Sequence, residues 1–378
     1  MRLTPTQIAY RDAVRELCAS LVPDEAARRR LTANDSLLHS EEAATAFAER
    51  DLLGVSLPEA DGGAGRSFVE ECLLLEETAR TGVPLMAYST ALTAAQSYLR
   101  FGDATHRRTI VESLRHGHAE SISFTEPEAG SDLASAQTTA RRDGDDWVIS
   151  GRKTWISFAH LARHLLVLTR TDDTGVRHDG LTLLMVPADA PGVTIRAIPT
   201  MGAHMVNDVF LDEVRVAGAA VVGQVGEAWR HLGRGLAVER LIIGAMCVGA
   251  SQRALDQLVA HVTTRVQFGK PLSKKQAVAH RIADLATEIA VLRSFVYDVA
   301  ERIDLGEEDA LNFEASMAKL KGSETFKKTT LEAVQLMGGY GYGSEFGMEQ
   351  QLRTAIAPTI YGGANEVQRE IVARGLGL

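Results

Sequence analysis

The stretch VAHRIADLATEIAVLRSFVYDVAERI, Val278 to Ile303, carries apolar residues at Val278, Ile282, Leu285, Ile289, Leu292, Val296, Val299 and Ile303. The steps alternate four and three, so a single apolar seam runs along a long helix. Such a seam is buried against other long helices in bundle geometry, whereas a supercoiled dimer would want charged pairs flanking the stripe. The helical period holds from about Gly226 to the C-terminus, which predicts a helical bundle that subunits could share. Upstream the texture changes. Ser121–Thr125, Ala136–Arg142, Trp147–Ser150, Leu165–Thr171, Leu181–Val186 and Val193–Ala197 are short β-prone runs, and Asp143-Gly144 is a hairpin signal between two of them. Before Gly117 the chain reads as helix again: Thr4-Pro5 is a cap followed by a first-turn proline, and Glu41–Arg50 and Ser67–Arg80 have helical apolar spacing. The order α, β, α makes a small β-domain an insertion between two helical halves. We place the limits at 1–116, 117–223 and 224–378.

The 378 residues suffice for two or three folding units with ample core. Apolar residues are 45% and charged residues 24%, a globular profile that excludes collagenous and disordered classes. A net charge of −9 argues against broad electrostatic binding to nucleic acid or anionic lipid, while leaving room for a local basic anion site. Cys18, Cys72 and Cys247 stand apart in apolar surroundings, so neither a disulfide framework nor a thiolate metal site is indicated. No basic-apolar leader opens the chain, and the longest apolar run, Leu241–Ala250, is about half of what spans a bilayer. A cytoplasmic protein with no membrane segment is expected.

Four segments invite chemistry. Phe124–Asp132 ends a strand and concentrates hydroxyls, acids, a proline and a glycine; it is either a tight polar turn or a loop that binds a polar ligand edge. Lys153-Thr154-Trp155-Ile156-Ser157 follows a second strand and sets an aromatic face beside a hydroxyl, which suits a planar cofactor as well as it suits a core. Arg265–Pro271 ends the helix that begins near Glu239, where an Arg either favours the helix terminus or pairs with a phosphate. Gln335–Gly343 is glycine-rich but closes the helical stretch Phe313–Met337, so it is not a Rossmann fingerprint, which follows a strand and opens a helix. His160 and His164 have the spacing of metal ligands on a helix, yet their segment runs into a strand and no carboxylate follows in register, so no metal is expected. No Gly-x-Ser-x-Gly elbow supports a hydrolase.

Taken in order, Pro58-Glu59…Gly62-Gly63, Thr125-Glu126-Pro127…Gly130-Ser131-Asp132, Lys153…Trp155-Ile156-Ser157, Arg265…Gln267-Phe268-Gly269, Gln276, Gln335…Gly338-Gly339-Tyr340-Gly341 and Ile360-Tyr361-Gly362-Gly363 resemble the motifs of the acyl-CoA dehydrogenase family. The resemblance implies a multi-domain α+β fold with an N-terminal α-helical domain, a middle β-domain and a C-terminal four-helix bundle that forms the core of a homodimer or homotetramer. It also implies FAD. Carried over, Phe124 by its backbone and Thr125 by its hydroxyl bond the isoalloxazine edge, Trp155 covers the ring, and Ser157 sits near N5. Ser131 and Arg265 meet the pyrophosphate, and Gln335 and Gly339 approach the adenylate half from the neighbouring subunit. Phe268 and Gln276 complete that pocket.

The chemistry implied is loss of an α-proton from an acyl thioester as the β-hydrogen leaves as hydride to the flavin, which needs a desolvated carboxylate base and donors to the enolate oxygen. Many members place that base as Glu after the Tyr of a late Tyr-Glu-Gly-Thr segment. This chain reads Tyr361-Gly362-Gly363-Ala364 there. In the isovaleryl and long-chain branches the base precedes an Arg on a bundle helix and the late position is small, the exchange seen in Glu239-Arg240 and Gly362. Glu239 also suits a first helical turn, where the helix dipole favours a carboxylate. The exchange with Gly362 decides for the base, with the Gly362 N–H donating to the thioester carbonyl and Ser131, Arg240 and Tyr361 on the substrate side. Three departures touch contacts around this core: Ala364 replaces a Thr, Ala203–Asp208 is shorter than the common form, and Ala217 stands where Pro is common. The expected activity is an oxidoreductase acting on a CH–CH bond, taking an acyl-CoA to its trans-2-enoyl product in fatty acid metabolism and passing electrons to an electron-transferring flavoprotein. Alternatives are a dehydrogenase of acyl-carrier-protein thioesters in secondary metabolism, a flavin monooxygenase on the same scaffold, and a non-catalytic partner subunit.

Overall fold

The computed structural model describes residues 2–172, 175–307 and 310–378, with the backbone alone for 231–236. Along the chain come α1 (Pro5–Leu21), α2 (Glu25–Leu31), α3 (Glu41–Ala48), α4 (Phe68–Thr81), α5 (Met86–Phe101) and α6 (Ala104–Arg115). Strands follow: β1 (Ala119–Ser123), β2 (Thr139–Asp143), β3 (Asp146–Ser157), β4 (Ala162–Arg170), β5 (Leu181–Pro187), β6 (Val193–Ala197), β7 (Val206–Ala217) and β8 (Val221–Val222). The helical remainder is α7 (Ala228–Thr264), a hairpin of β9 (Val266–Gln267) and β10 (Lys270–Pro271), α8 (Gln276–Asp304), α9 (Asn312–Met337), α10 (Gly339–Tyr342), α11 (Met348–Ile356) and α12 (Asn365–Gly375). The α, β, α order read from the sequence is the order of the fold.

Two compact units form from this chain, and sequence neighbours do not all share one. A helical unit takes Met1–Leu31, Ser67–Pro84 and Glu239–Leu378; a sheet unit takes Thr32–Arg66 and Leu85–Val238. In the helical unit, local signals set the helix ends. Thr4 caps α1 in a reciprocal box with Gln7, with Pro5 in the first turn. Ser67 and Glu70 make the same box at α4, which stops at Gly82 in a left-handed conformation. The α8 seam is buried as its spacing requires: Leu285 and Ile289 pack with Leu258 and Val262 of α7 and with Ala333 and Met337 of α9. Each such Leu or Ile contributes roughly 1.5–3 kcal/mol relative to exposure.

In the sheet unit the strand order is β6-β7-β3-β2-β4-β5-β8, with β1 parallel to β4. The Asp143-Gly144 signal is met: Asp143 pairs Asp146 across a two-residue turn in which Gly144 has φ +64°. Two features escape the sequence reading. Strand β3 runs on through Ser157, so Lys153–Ser157 lies within a strand instead of after it. Strand β7, which joins β3 to β6, lies in Val206–Ala217, where the sequence reading finds no β-prone run. The reason is a bulge. Val209 and Leu211 face the core, one extra residue opposite β3 leaves Glu213 at φ +51°, and Val214 and Val216 then face the core, so the two-residue alternation breaks midway.

Candidate active site

A second bulge, on β3 between Lys153 and Ile156, shapes the first group of residues. Trp155 sits there at φ +60°, a conformation that L-residues rarely adopt, and its indole is 57% exposed while Thr154 and Ile156 on either side are buried. The bulge turns a large aromatic outward from a strand whose neighbours point in. Beneath it lies a buried ion pair. Lys153 Nζ donates to Glu126 Oε1 at 2.7 Å and to the Phe124 carbonyl at 3.2 Å; Gln137 N–H and Thr138 N–H donate to the same Glu126 carboxylate at 2.7 and 2.9 Å. Burial alone would raise the Glu126 carboxyl, but the Lys153 ammonium and these donors hold it below the ordinary carboxylate range. Thr154 N–H also donates to the Thr125 carbonyl at 2.9 Å, so the Phe124–Glu126 loop is tied to β3 at three points. With its carbonyl taken, Phe124 keeps its N–H. Among the described residues the Phe124 N–H and the hydroxyls of Thr125 and Ser157 have no protein partner. An outward indole with unpaired N–H and O–H donors on one strand and its adjoining loop fits the face and edge of a flavin ring. Ser131 is exposed on the same loop.

Glu239 belongs to the helical unit. Helix α7 starts at Ala228, eleven residues earlier, so Glu239 lies about three turns inside the helix and the first-turn reading fails. Its carboxylate is part-exposed by area yet enclosed by protein, and desolvation raises its pKa above the ordinary value against the opposing charges of Arg240 and Lys319. No described residue hydrogen-bonds it. The Tyr361–Ala364 turn approaches it: a Cβ placed on Gly362 would lie 3.6 Å from Glu239 Oε1 and 2.3 Å from Ile243 Cδ1. Gly362 and Gly363 have φ +62° and +79°. Gln368 Nε2 donates to both of their carbonyls at 3.1 and 3.0 Å, and Lys319 Nζ donates to the Gly363 carbonyl at 2.7 Å. The N–H groups of Gly362 and Gly363 have no acceptor among the described residues. A turn with anchored carbonyls and open N–H groups beside a desolvated carboxylate can bind an oxyanion while the carboxylate takes a proton. Gly362→Ala is expected to lower unfolding free energy by about 1–2 kcal/mol through the left-handed φ. Adding Ile243→Ala removes the collision but not that strain, and denaturant titration of the two variants separates them.

Arg240 and Tyr361, read as substrate contacts, are turned into the helical unit. Arg240 is buried and bonds Asn312 Oδ1, with its Nε lacking a partner among the described residues. Tyr361 packs against the cluster of Ile243, Cys247 and Phe326, where burial pushes its phenol up.

A third feature is a cleft of about 490 Å³ at the far end of α7, lined by Arg265, Gln335, Gly339 and Tyr340 among others. The Arg265 guanidinium lies 5.3 Å from the centre of the Tyr340 ring. A Cβ on Gly338 or Gly339 would meet nothing within 4 Å, so a ligand can approach the backbone there. A guanidinium, a primary amide and open backbone suit the phosphates and purine of a dinucleotide. Phe268, 93% exposed at φ +52°, and Gln276, the first residue of α8, are exposed nearby in sequence. His160 and His164 are drawn apart: His160 stacks on His204 at 3.9 Å, and His164 Nδ1 faces Glu120 at 3.2 Å. The sequence reading missed Lys319, Gln368 and Ile243. A Lys, a Gln and an Ile at helical spacing carry no signal of their own.

Models of the N-terminal, middle and C-terminal domains of acyl-CoA dehydrogenases match residues 4–118, 121–214 and 226–377. The probable acyl-CoA dehydrogenase YngJ of Bacillus subtilis (strain 168) is 36% identical over 87% of this chain and 88% of its own length. Among solved structures, butyryl-CoA dehydrogenase from Megasphaera elsdenii superposes with a TM-score of 0.91 at 26% identity, covering 100% of both chains. The prolyl acyl carrier protein oxidase AnaB does so with a TM-score of 0.90 at 27% identity, again over 100% of both.

Proposed function

Because the chain belongs to the acyl-CoA dehydrogenase family, we propose that it is a FAD-dependent dehydrogenase of acyl-CoA thioesters in which Glu239 removes the α-proton. The observation that carries the base assignment is the place of Glu239 beside the Gly362 turn. An α-C–H is a weak acid, so the base must be ionised yet poorly solvated, and the charge arriving on the thioester oxygen must meet donors. Glu239, desolvated and without a hydrogen bond among the described residues, meets the first need. The Gly362 N–H meets the second, its turn being fixed by Gln368 and Lys319. Bound FAD supplies the oxidant that accepts the β-hydrogen with its electron pair. This base placement aligns the chain with the isovaleryl and long-chain branches.

For the cofactor, Trp155 would cover the ring while Thr125, Ser157 and the Phe124 N–H bond its edge, and Ser131 and Arg265 would serve the pyrophosphate. Arg265 lines one cleft with Gln335 and Gly339 of the same chain. If Gln335 and Gly339 reach the flavin of a neighbouring subunit, Arg265 reaches that same flavin, and the site needs at least a homodimer. Phe268 and Gln276 would flank the dinucleotide. The domain limits at 116 and 223, a homodimeric or homotetrameric state, an electron-transferring flavoprotein as acceptor and a cytoplasmic setting are proposed on the family's pattern; among the described residues no helix is long and apolar enough to cross a membrane.

A second reading keeps the chemistry and changes the carrier. AnaB is an oxidase of a prolyl acyl carrier protein, and its likeness to this chain extends over both full lengths. An acyl-carrier-protein thioester is therefore the alternative substrate. A monooxygenase gives the Glu239–Gly362 pair no task. The test is an anaerobic titration of the purified protein with acyl-CoA esters of graded length and branching and with acyl-carrier-protein esters. The protein is expected to be yellow and to bleach with at least one thioester. Bleaching by NAD(P)H alone would overturn the dehydrogenase reading.

A further inference from the structure

Among the described residues two Lys side chains, Lys153 and Lys319, are wholly buried, and they differ in company. Lys153 contacts a carboxylate, Glu126. Among the described residues Lys319 of α9, with no accessible surface, hydrogen-bonds only neutral oxygens, the Gly363 carbonyl at 2.7 Å and Asn365 Oδ1 at 3.0 Å. Ser323 Oγ donates to that same Asn365 oxygen at 3.0 Å, which holds the amide oxygen toward the ammonium. A buried cation without a contact counter-ion is costly unless an opposite charge lies within the same low-dielectric interior. Glu239 is that charge, and it too lacks a contact partner. Burial pushes Lys319 down to about 8, with Cys247 and Glu239 opposing the fall. The remaining charged or titratable groups of this interior are Arg240 and Cys247 on α7, Tyr361 in the turn and Glu366 on α12; Arg240 bonds the neutral Asn312 amide, keeps its charge and acts on Glu239 ahead of Lys319.

We propose that Lys319 is a positioning residue: it pins the Gly362–Gly363 turn by the Gly363 carbonyl and, through space, adds to Arg240 a second positive charge that favours ionised Glu239. The two tasks are separable, since Gln368 shares the first and not the second. The inference rests on the reading of Glu239 as the base, but its test does not require turnover.

The protonated-carboxyl infrared band of the full-length protein, assigned by its loss in Glu239→Gln, is followed against pH. In Lys319→Gln, which keeps a donor for Gly363 but removes the charge, the midpoint should rise by about one pH unit, roughly tenfold in proton affinity. In Gln368→Leu, which frees the turn and keeps the charge, the midpoint should stay while KM for the thioester rises. Asn365→Asp is nearly isosteric, pairs Lys319 directly and should raise the midpoint with Lys319 in place; it serves should Lys319→Gln not fold. An unmoved midpoint in a folded Lys319→Gln or Asn365→Asp protein overturns the proposal. Failure of every thioester to bleach the flavin would instead overturn the proposed activity, leaving the band shift to report on Lys319.

Discussion

Glu239→Gln is expected to fold, to keep its flavin and to lose about 10²–10⁴-fold in the rate of anaerobic reduction by a thioester that bleaches the wild type. The substitution keeps the side chain's shape and takes away only its capacity to accept the α-proton. No contact partner is orphaned, because no described residue hydrogen-bonds the carboxylate, but Lys319 loses a negative charge that favours its ammonium, so its own pKa should fall further. The raised pKa gives a second signature. Only ionised Glu239 can act as base, so the wild-type rate should rise with pH through a midpoint above the ordinary carboxylate range, and the variant should lack that limb. Stopped-flow absorbance across pH checks both, and an unchanged rate in the variant would remove Glu239 from the reaction. Transferring the base to the late position, by adding Gly362→Glu, should restore little by itself. The new Cβ meets Ile243 Cδ1 and the residue must adopt a left-handed φ, so a rescue also needs Ile243 trimmed.

Lys153→Met should give the largest loss of stability among the residues discussed, about 3–5 kcal/mol, because it leaves Glu126 as an unpaired carboxylate in the sheet unit. It should also weaken flavin retention, since Lys153 ties the Phe124 carbonyl to β3. Replacing Glu126 as well would not recover the loss, because Gln137 and Thr138 would then have buried N–H groups without acceptors. Denaturant unfolding with flavin release as a second probe tests this, and a variant within 1 kcal/mol of the wild type by the mutational scale would show that the pair is dispensable.

Much of this architecture was legible. The cap at Thr4, the helical spacing of Ser67–Arg80, the seam of α8 and the turn at Gly144 are local matters of hydrogen bonding and periodicity, and each appears where its residues predict. Strand β7 was not legible because its bulge shifts the core face by one residue midway. The Glu239 and Gly362 exchange was legible only as a pair of letters far apart. What the letters could not show was that the turn's glycines are held at positive φ by Gln368 and Lys319, which come from two different helices.

By itself, then, the sequence determined the order of helical and β segments, the family and the chemical types available to the site, because propensity, capping and motif order are properties of neighbouring residues. Tertiary structure alone decided which residues share an interior. It divided the N-terminal helices between two units, aimed Trp155 outward through a bulge, drew His160 away from His164, and buried Lys319 without a contact anion. These depend on desolvation and on contacts between residues distant in the chain, and the energy of a charge is set by what surrounds it rather than by what precedes it.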